Sequence, residues 1–231
     1  MRAKLASQGA LLVVTDLMGT TLRDDGAVLP AYHAAFAECS IPFTEEELAP
    51  RRGAHKLSLF TEFALRRYPA EEAPKVAAAA LEVFEKRLRH FLATGGGTEI
   101  TGAEQAIARL RAAGIRVALT SGFDRGLIAD IVAHCGWTEL FDAIVYPDEV
   151  PAGRPAPYLI FQAMQKLLVR PVARVAVIGD TALDLQAGTN AGVGWVIGVL
   201  SGAHDAEMLG RTPHTHLLPS IAELPALLGI D

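Results

Sequence analysis

The sequence has only two cysteines in 231 residues, Cys39 and Cys135. They stand far apart and lack metal-ligand spacing. That excludes a disulfide framework and a thiolate zinc cluster, and reads as two buried thiols in a reducing compartment. Positive charge is not in excess: 21 Lys and Arg face 26 Asp and Glu, for a formal net charge of -5. No basic stripe stands out, which argues against nucleic acid as a partner. No stretch reaches the roughly 18 consecutive apolar residues of a membrane helix. The first ten residues place Arg2 and Lys4 ahead of a short apolar run leading into Asp16, without the long apolar core and small-residue cleavage site of a secretory signal. These absences describe a soluble, cytoplasmic protein. Internal repeats are absent too, and the only compositional bias is in alanine-rich helices.

Hydrophobic residues make up 51% of the chain, enough for a sizeable core. At about 150 residues per domain, the length suits one large domain or one domain carrying an insert. Leu11 to Thr15 is a short apolar run ending at Asp16, the pattern of a buried parallel strand, and Gly19-Thr20-Thr21 follows as a turn. From Pro30 to Leu92 the pattern is helical: Ala31 to Cys39, Thr44 to Leu48, Lys56 to Tyr68 and a long alanine-rich helix from Glu71 to Leu92. Gly95-Gly96-Gly97 forms a flexible junction. Strands are then expected at Ile115 to Thr120, Ala143 to Tyr146, Val175 to Ile178 and Gly194 to Val199. Helices are expected at Gly102 to Ala113, Leu127 to His134, Pro157 to Leu168 and Leu183 to Ala191. Such alternation implies an α/β fold with a doubly wound parallel sheet. Residues 1–22 and 96–231 form the core, interrupted by an all-helical cap over 23–95.

In open α/β sheets ligands bind outside the carboxyl ends of the strands. Four strand ends here are polar: Asp16; Thr120-Ser121-Gly122; the segment from Asp148 to Arg154; and Gly179-Asp180-Thr181 with Asp184 four residues beyond Asp180. Phosphoryl transfer needs an in-line nucleophile, neutralisation of the equatorial oxygens and usually a metal. Asp16 can be nucleophile through one oxygen and magnesium ligand through the other. Asp180 supplies a second hard oxygen donor, and Asp184 can act behind the ligands. Arg154 offers a fixed charge to carboxylates and phosphate, while Ser121 and the amides around Gly122 can donate to phosphate oxygens. Singly, each has an ordinary explanation: an Asp at a strand end caps helices, an Arg is a surface residue, and an Asp pair at i and i+4 begins a solvated helix. Four such ends in this order are more specific.

Asp16-Leu17-Met18-Gly19-Thr20-Thr21, Leu119 to Gly122, Arg154 with Pro155 and Pro157, and Gly179 through Asp184 resemble the four successive motifs of the haloacid dehalogenase superfamily. The likeness spans essentially the whole chain, including a helical cap between the first two motifs. Most phosphatases of that superfamily carry an acid two residues after the nucleophile; Met18 occupies that place. The phosphonatase branch also lacks the acid, ends its first motif in Gly-Thr-Thr, and has a third motif similar to Val150 through Pro157. The resemblance implies that Asp16 attacks phosphorus to form an aspartyl-phosphate. It also implies that Asp16, the backbone carbonyl of Met18 and Asp180 hold Mg2+, with Thr20, Ser121, Gly122 and Arg52 at the phosphate or substrate.

Loss of a general acid typically removes about 10²–10⁴ in rate, so an ester phosphatase built this way should be slow. Cleavage of a P–C bond instead needs an electron sink, which a lysine–aldehyde iminium supplies. Phosphonatases use a cap lysine in a Gly-x-x-Lys pattern, and Gly53-Ala54-His55-Lys56 fits it. A nucleophilic lysine must be partly neutral, although an unperturbed one has a pKa near about 10.4; Arg51, Arg52 and His55 could depress it by like charge. The alternative is that Lys56 and the arginines bind an anionic substrate or are solvated. Departures from the branch are Leu59 in place of a histidine, Phe123 in place of an aromatic hydroxyl and the bulk of Met18. They point to a small phosphonate or phosphate substrate that differs from phosphonoacetaldehyde.

Other residues carry less. His214 and His216 form a His-x-His pair in a loop ahead of a strand, and His204 with Asp205 sits in a loop positioning the core near the site. Trp137 and Trp195 read as core residues. Asp124 and Arg125 cap a helix or face the cap, and Asp148 pairs with Arg154 or stays exposed. The resemblance also suggests a homodimer through the cap, with Gly95–Gly97 as hinge. Two competing readings are a low-activity phosphate-monoester phosphatase of phosphoglycolate or sugar-phosphate type, and a binding relative that has lost turnover.

Overall fold

The computed structural model describes residues 9–230, so the reading of the first eight residues lies outside it. Six strands make one parallel sheet: β1 (Leu12–Thr15), β2 (Arg116–Thr120), β3 (Ala143–Val145), β4 (Val175–Gly179), β5 (Trp195–Val199) and β6 (His216–Leu218). Their order is β3-β2-β1-β4-β5-β6. Every pairing is parallel, with Val14 beside both Ala118 and Val177. β1 is buried along its length and β4 likewise, as expected of strands covered by helices on both faces. The strand order reverses at β1, where β2 lies on one side and β4 on the other, so the crevice of a doubly wound sheet opens at their carboxyl ends.

Four helices follow β1 before the glycine junction at Gly95–Gly97: α1 (Val28–Glu38), α2 (Glu45–Leu48), α3 (Lys56–Ala64) and α4 (Ala73–Ala93). All lie between β1 and β2 in sequence. α4 buries Ala73, Ala77, Ala80, Phe84, Leu88 and Leu92, spacings of three and four that make one apolar stripe. Against it pack Tyr32 and Phe36 from α1 and Phe60 and Phe63 from α3, all buried. The remaining helices are α5 (Ala103–Ala112), α6 (Arg125–His134), α7 (Tyr158–Lys166), α8 (Ala182–Ala191), α9 (Ala206–Gly210) and α10 (Leu224–Leu227).

Several element ends differ from the sequence reading. α3 stops at Ala64 instead of Tyr68, because Pro69 disfavours helical geometry just before it, and the Tyr68 hydroxyl turns to the Cys39 carbonyl at 2.9 Å. α4 begins at Ala73 instead of Glu71, with Pro74 in its first turn, where a missing N–H is harmless. α1 starts earlier, at Val28, whose N–H donates to Asp24 Oδ1 at 2.8 Å. His216 lies inside β6, not in the loop before it. Cys39 and Cys135 are half-buried free thiols instead of fully buried ones, and Trp195 is half-buried at the start of β5 while Trp137 is buried. No helix among the described residues is long and apolar enough to cross a membrane.

Candidate active site

Asp16 follows β1 directly, and its N–H donates to the Ile178 carbonyl of β4 at 3.0 Å. The hydroxyls of Thr15 and Thr21 both donate to its carbonyl, at 3.0 and 2.8 Å. The backbone at position 16 is thereby fixed, and its buried carboxylate meets Arg154, whose Nη1 donates to Oδ1 at 2.5 Å. The same nitrogen pairs with Asp184 Oδ1 at 2.8 Å, and Nη2 donates to Thr120 Oγ1 at 2.6 Å. Arg154 is therefore held between the ends of β1, β2 and the start of α8. Asp184 Oδ2 accepts from the Thr181 N–H at 3.0 Å and its hydroxyl at 2.6 Å, capping α8.

Asp180 follows β4. Ala203 N–H donates to its Oδ2 at 2.6 Å, and Thr20 Oγ1 donates to its Oδ1 at 3.3 Å. No Lys or Arg among the described residues lies within ion-pairing distance of Asp180. Burial, then the neighbouring Asp16 and Asp184, hold its carboxyl well above the ordinary carboxylate range. Burial likewise raises Asp16 to about 6, against the opposing pull of Arg154. Three buried carboxylates thus face two buried cations, Arg154 and Lys56, so the site keeps an excess of negative charge and hard oxygen donors that suit a hard cation. Among the described residues no group of three His, Cys, Asp or Glu side chains surrounds one ion position. The donor set that fits here is two carboxylates, Asp16 and Asp180, with main-chain oxygen.

The helical insert covers this end of the sheet. Its Gly53–Lys56 loop lies directly on the β2 end: Lys56 N–H donates to the Gly122 carbonyl at 3.0 Å. A Cβ on Gly122 would stand 2.3 Å from the Ala54 carbonyl oxygen, and one on Gly53 would stand 2.4 Å from Thr181 Oγ1; side chains at either place would pry the loop off. Two further ties cross the junction. His55 Nε2 meets Asp124 Oδ1 at 2.9 Å. His204 Nδ1 accepts from Ala182 N–H, which leaves Nε2–H to donate to the Ala49 carbonyl, both at 3.0 Å.

Lys56 sits at the centre of this closure. It is 3% exposed; its Nζ donates to the Ala54 carbonyl at 2.9 Å and lies 5.0, 5.6 and 6.0 Å from the ring centres of Phe123, Tyr32 and Phe84. Burial lowers its pKa to about 8, with Arg154 and Arg52 adding to the depression and Asp16 opposing it. Two of the three groups expected to do this do not: Arg51 is half-buried and paired with Glu62 at 2.7 Å, and His55 is engaged by Asp124 and Ser58.

One cavity is lined by Asp16, Met18, Arg52, Lys56, Ser121, Gly122 and Asp180, together with Asp24, Val28, Tyr32 and Phe123. Thr20, Arg154 and Asp184 do not line it: Thr20 donates to Asp180 and Arg154 to Asp16, while Asp184 holds Arg154 from behind. Arg52 reaches the cavity while tied to Asp24 at 3.4 Å and the Ala203 carbonyl at 3.5 Å. Ser121 Oγ accepts from Phe123 N–H at 3.2 Å, leaving its own proton free for a ligand. Asp148 pairs with Arg125 at 2.8 Å and not with Arg154. Sequence reasoning passed over Asp24 and Tyr32. Asp24 looked like one of a loop's acids, and Tyr32 lay on a helix whose facing was unknown; its only signal was a hydroxyl on the apolar side of an alanine-rich helix.

The fold and site define a hydrolase of the doubly wound class with carboxylates at the sheet's switch point and a lysine-bearing helical cover. The family profile of haloacid dehalogenase-like hydrolases matches residues 11–192. A phosphonoacetaldehyde hydrolase of Bacillus cytotoxicus is 37% identical over 110 residues, which are 47% of this chain and 41% of that relative. A phosphonoacetaldehyde hydrolase of Bacillus cereus is 32% identical over 217 residues, covering 87% of this chain and 79% of the relative. In three dimensions, the phosphonoacetaldehyde hydrolase-like protein of Oleispira antarctica shares the fold with a TM-score of 0.80 at 19% identity, over 97% of this chain and 92% of that one. The chain belongs to the haloacid dehalogenase-like hydrolase family.

Proposed function

We propose that this protein is a magnesium-dependent hydrolase that cleaves a short phosphonate bearing a carbonyl group, with Asp16 as nucleophile and Lys56 as imine-forming amine. The observation that carries the reading is Lys56 itself: a buried lysine brought to a pKa of about 8 in the same cavity as Asp16, with Met18 where a general acid would otherwise stand. Asp16, Asp180 and the Met18 carbonyl would hold the ion, which supplies charge neutralisation at the phosphoryl oxygens.

In this reading neutral Lys56 adds to the substrate carbonyl, and the resulting carbinolamine takes up one proton from solvent and loses water to give a protonated imine. The Asp16 carboxylate forms a bond to phosphorus as the P–C bond breaks, and that electron pair flows into the iminium to give an enamine. Proton return and hydrolysis release the aldehyde or ketone and regenerate the amine. Water then hydrolyses the aspartyl-phosphate to phosphate. Arg154 keeps Asp16 ionised and oriented, and Ser121 donates to a phosphoryl oxygen. The insert over 23–95 closes on the core of 1–22 and 96–231, hinged at Gly95–Gly97, and excludes water from the cavity.

Phosphate release from phosphonoacetaldehyde and related 2-oxo phosphonates, with Asp16→Asn as blank, tests the reading. Borohydride should trap a substrate adduct on Lys56 of the wild type and none in Lys56→Ala; absence of the adduct during turnover removes the imine route. One observation favours a phosphate-ester phosphatase instead: Nζ already has the Ala54 carbonyl and three aromatic rings around it, a setting that also suits an ammonium. In that case Lys56→Ala raises KM for phosphate monoesters, leaves kcat nearly unchanged and yields no borohydride adduct.

A further inference from the structure

Tyr32 lies on α1 with its whole residue buried, and its hydroxyl has no hydrogen-bond partner among the described residues. A buried hydroxyl left without a partner costs about 1–3 kcal/mol, and apolar burial gives no reason to prefer tyrosine over phenylalanine. The ring is clamped: Phe84, Phe60 and Phe36 have their centres 4.8, 5.9 and 6.2 Å away, so the hydroxyl cannot swing elsewhere. Tyr32 lines the cavity that holds Asp16, and Lys56 Nζ lies 5.6 Å from its ring centre. Burial moves its pKa upward, so the group is a phenol that donates, not a phenolate. The polar groups offered to the non-phosphoryl end of a ligand are then the Tyr32 O–H and Lys56 Nζ, both donors, set among aromatic rings; Asp24 is engaged by Arg52 and by the start of α1.

We propose that Tyr32 is a specificity-determining residue: its hydroxyl donates a hydrogen bond to an oxygen on the carbon chain of a short phosphonate, so the site selects substrates with an acceptor there over alkyl phosphonates of equal size. The proposal rests on the phosphonate reading above and deepens it by assigning the donor that reads the substrate's carbon end.

The test uses binding, so that it does not depend on turnover. Two ligands with equal numbers of heavy atoms, 2-hydroxyethylphosphonate and propylphosphonate, neither able to form an imine, are titrated calorimetrically into the wild-type protein and Tyr32→Phe with Mg2+ present. Wild type should bind the hydroxy ligand more tightly. Tyr32→Phe should lose roughly five- to tenfold of that affinity, about one hydrogen bond, while propylphosphonate affinity changes less than twofold. The melting temperature of Tyr32→Phe should equal or exceed that of wild type, because the hydroxyl has no protein partner to lose. Both ligands binding with a wild-type preference that Tyr32→Phe leaves unchanged overturns the role of Tyr32 alone. A melting temperature lowered by several degrees also overturns it, by showing a structural partner. Failure of both ligands to bind overturns the phosphonate reading and this inference with it, and binding of propylphosphonate alone overturns the role of Tyr32.

Discussion

Replacing Lys56 with methionine should make the protein more stable at neutral pH and abolish its chemistry. A folded-state pKa of about 8 against an ordinary 10.5 means that the charged amine is held at a cost; each tenfold change in acidity corresponds to about 1.4 kcal/mol, so the cost is about 3 kcal/mol. Methionine keeps the stem in the aromatic surroundings of Phe84, Phe123 and Tyr32 and removes the charge. It also strips the Ala54 carbonyl of its donor, which gives back about 1 kcal/mol. The net gain is about 2 kcal/mol, and for a chain of this size the melting temperature should rise by roughly 4–8 °C. The sign depends on pH. Below about 8 the lysine is protonated in both folded and unfolded chains and the full cost is present. Between about 8 and 10.5 the unfolded chain binds the extra proton, so the wild type gains stability as pH rises. Above that window the advantage of methionine should vanish and reverse slightly. Thermal unfolding of both proteins at pH 7 and pH 10.5 reads the difference, in which all other titrating groups cancel. A methionine variant less stable at pH 7, or a difference that stays constant across the window, would refute the electrostatic account of Lys56.

Turnover should fall as pH drops through about 6, because Asp16 takes up a proton there and a protonated carboxyl neither attacks phosphorus nor binds a cation; rate profiles at several Mg2+ concentrations should show the acid limb moving to lower pH as the ion competes with the proton. Asp184→Ala removes one of the two carboxylates on buried Arg154 and the cap of α8, and should cost about 3 kcal/mol in urea unfolding. Gly122→Ala forces a methyl group against the Ala54 carbonyl oxygen, 2.3 Å from where its Cβ would stand. It should destabilise by about 1–3 kcal/mol and lower kcat/KM more than tenfold by lifting the lysine loop from β2.

The sheet was legible because most of its strands are short apolar runs that must be covered on both faces, and because several of them break into polar residues. Leu12 to Thr15 breaking at Asp16, and Val175 to Gly179 breaking at Asp180, need no tertiary information to be noticed. The helix ends were less legible: Pro69 and Pro74 act through local sterics that shift a boundary by a few residues, and the hydrophobic period does not register them. Pairings across the chain were the least legible. Nothing local in Arg154 shows that it would be drawn to Asp16 and Asp184 while Asp148, six residues before it, turns to Arg125. The depressed pKa of Lys56 was anticipated with the wrong principal cause, because sequence displays neighbouring charges such as Arg51 and His55 but does not display burial. Tyr32 was invisible for the same reason, since its interest lies in a partner that it lacks.

The two halves of the cavity are chemically incomplete alone. The core brings Asp16, Asp180 and Ser121, which can grip and attack a phosphoryl group but have no acid for a leaving alkoxide at position 18. The insert brings Lys56 and Tyr32, which can engage an oxygen-bearing carbon chain but carry no nucleophile toward phosphorus. What joins them is one backbone bond, the Lys56 N–H on the Gly122 carbonyl, and side-chain ties: the His204 ring bridging Ala182 and Ala49 and the His55 ring on Asp124. The aromatic burial that lowers the pKa of Lys56 spans the same junction, for Phe123 belongs to the core while Tyr32 and Phe84 belong to the insert. In the proposed reading, closure would desolvate the amine in the step that brings it over Asp16, and an open form would leave Lys56 protonated and unreactive. A water-exposed general acid at position 18 would work in either form; in the proposed reading a lysine that is nucleophilic only when buried would confine the chemistry to the closed one, which would account for methionine beside Asp16.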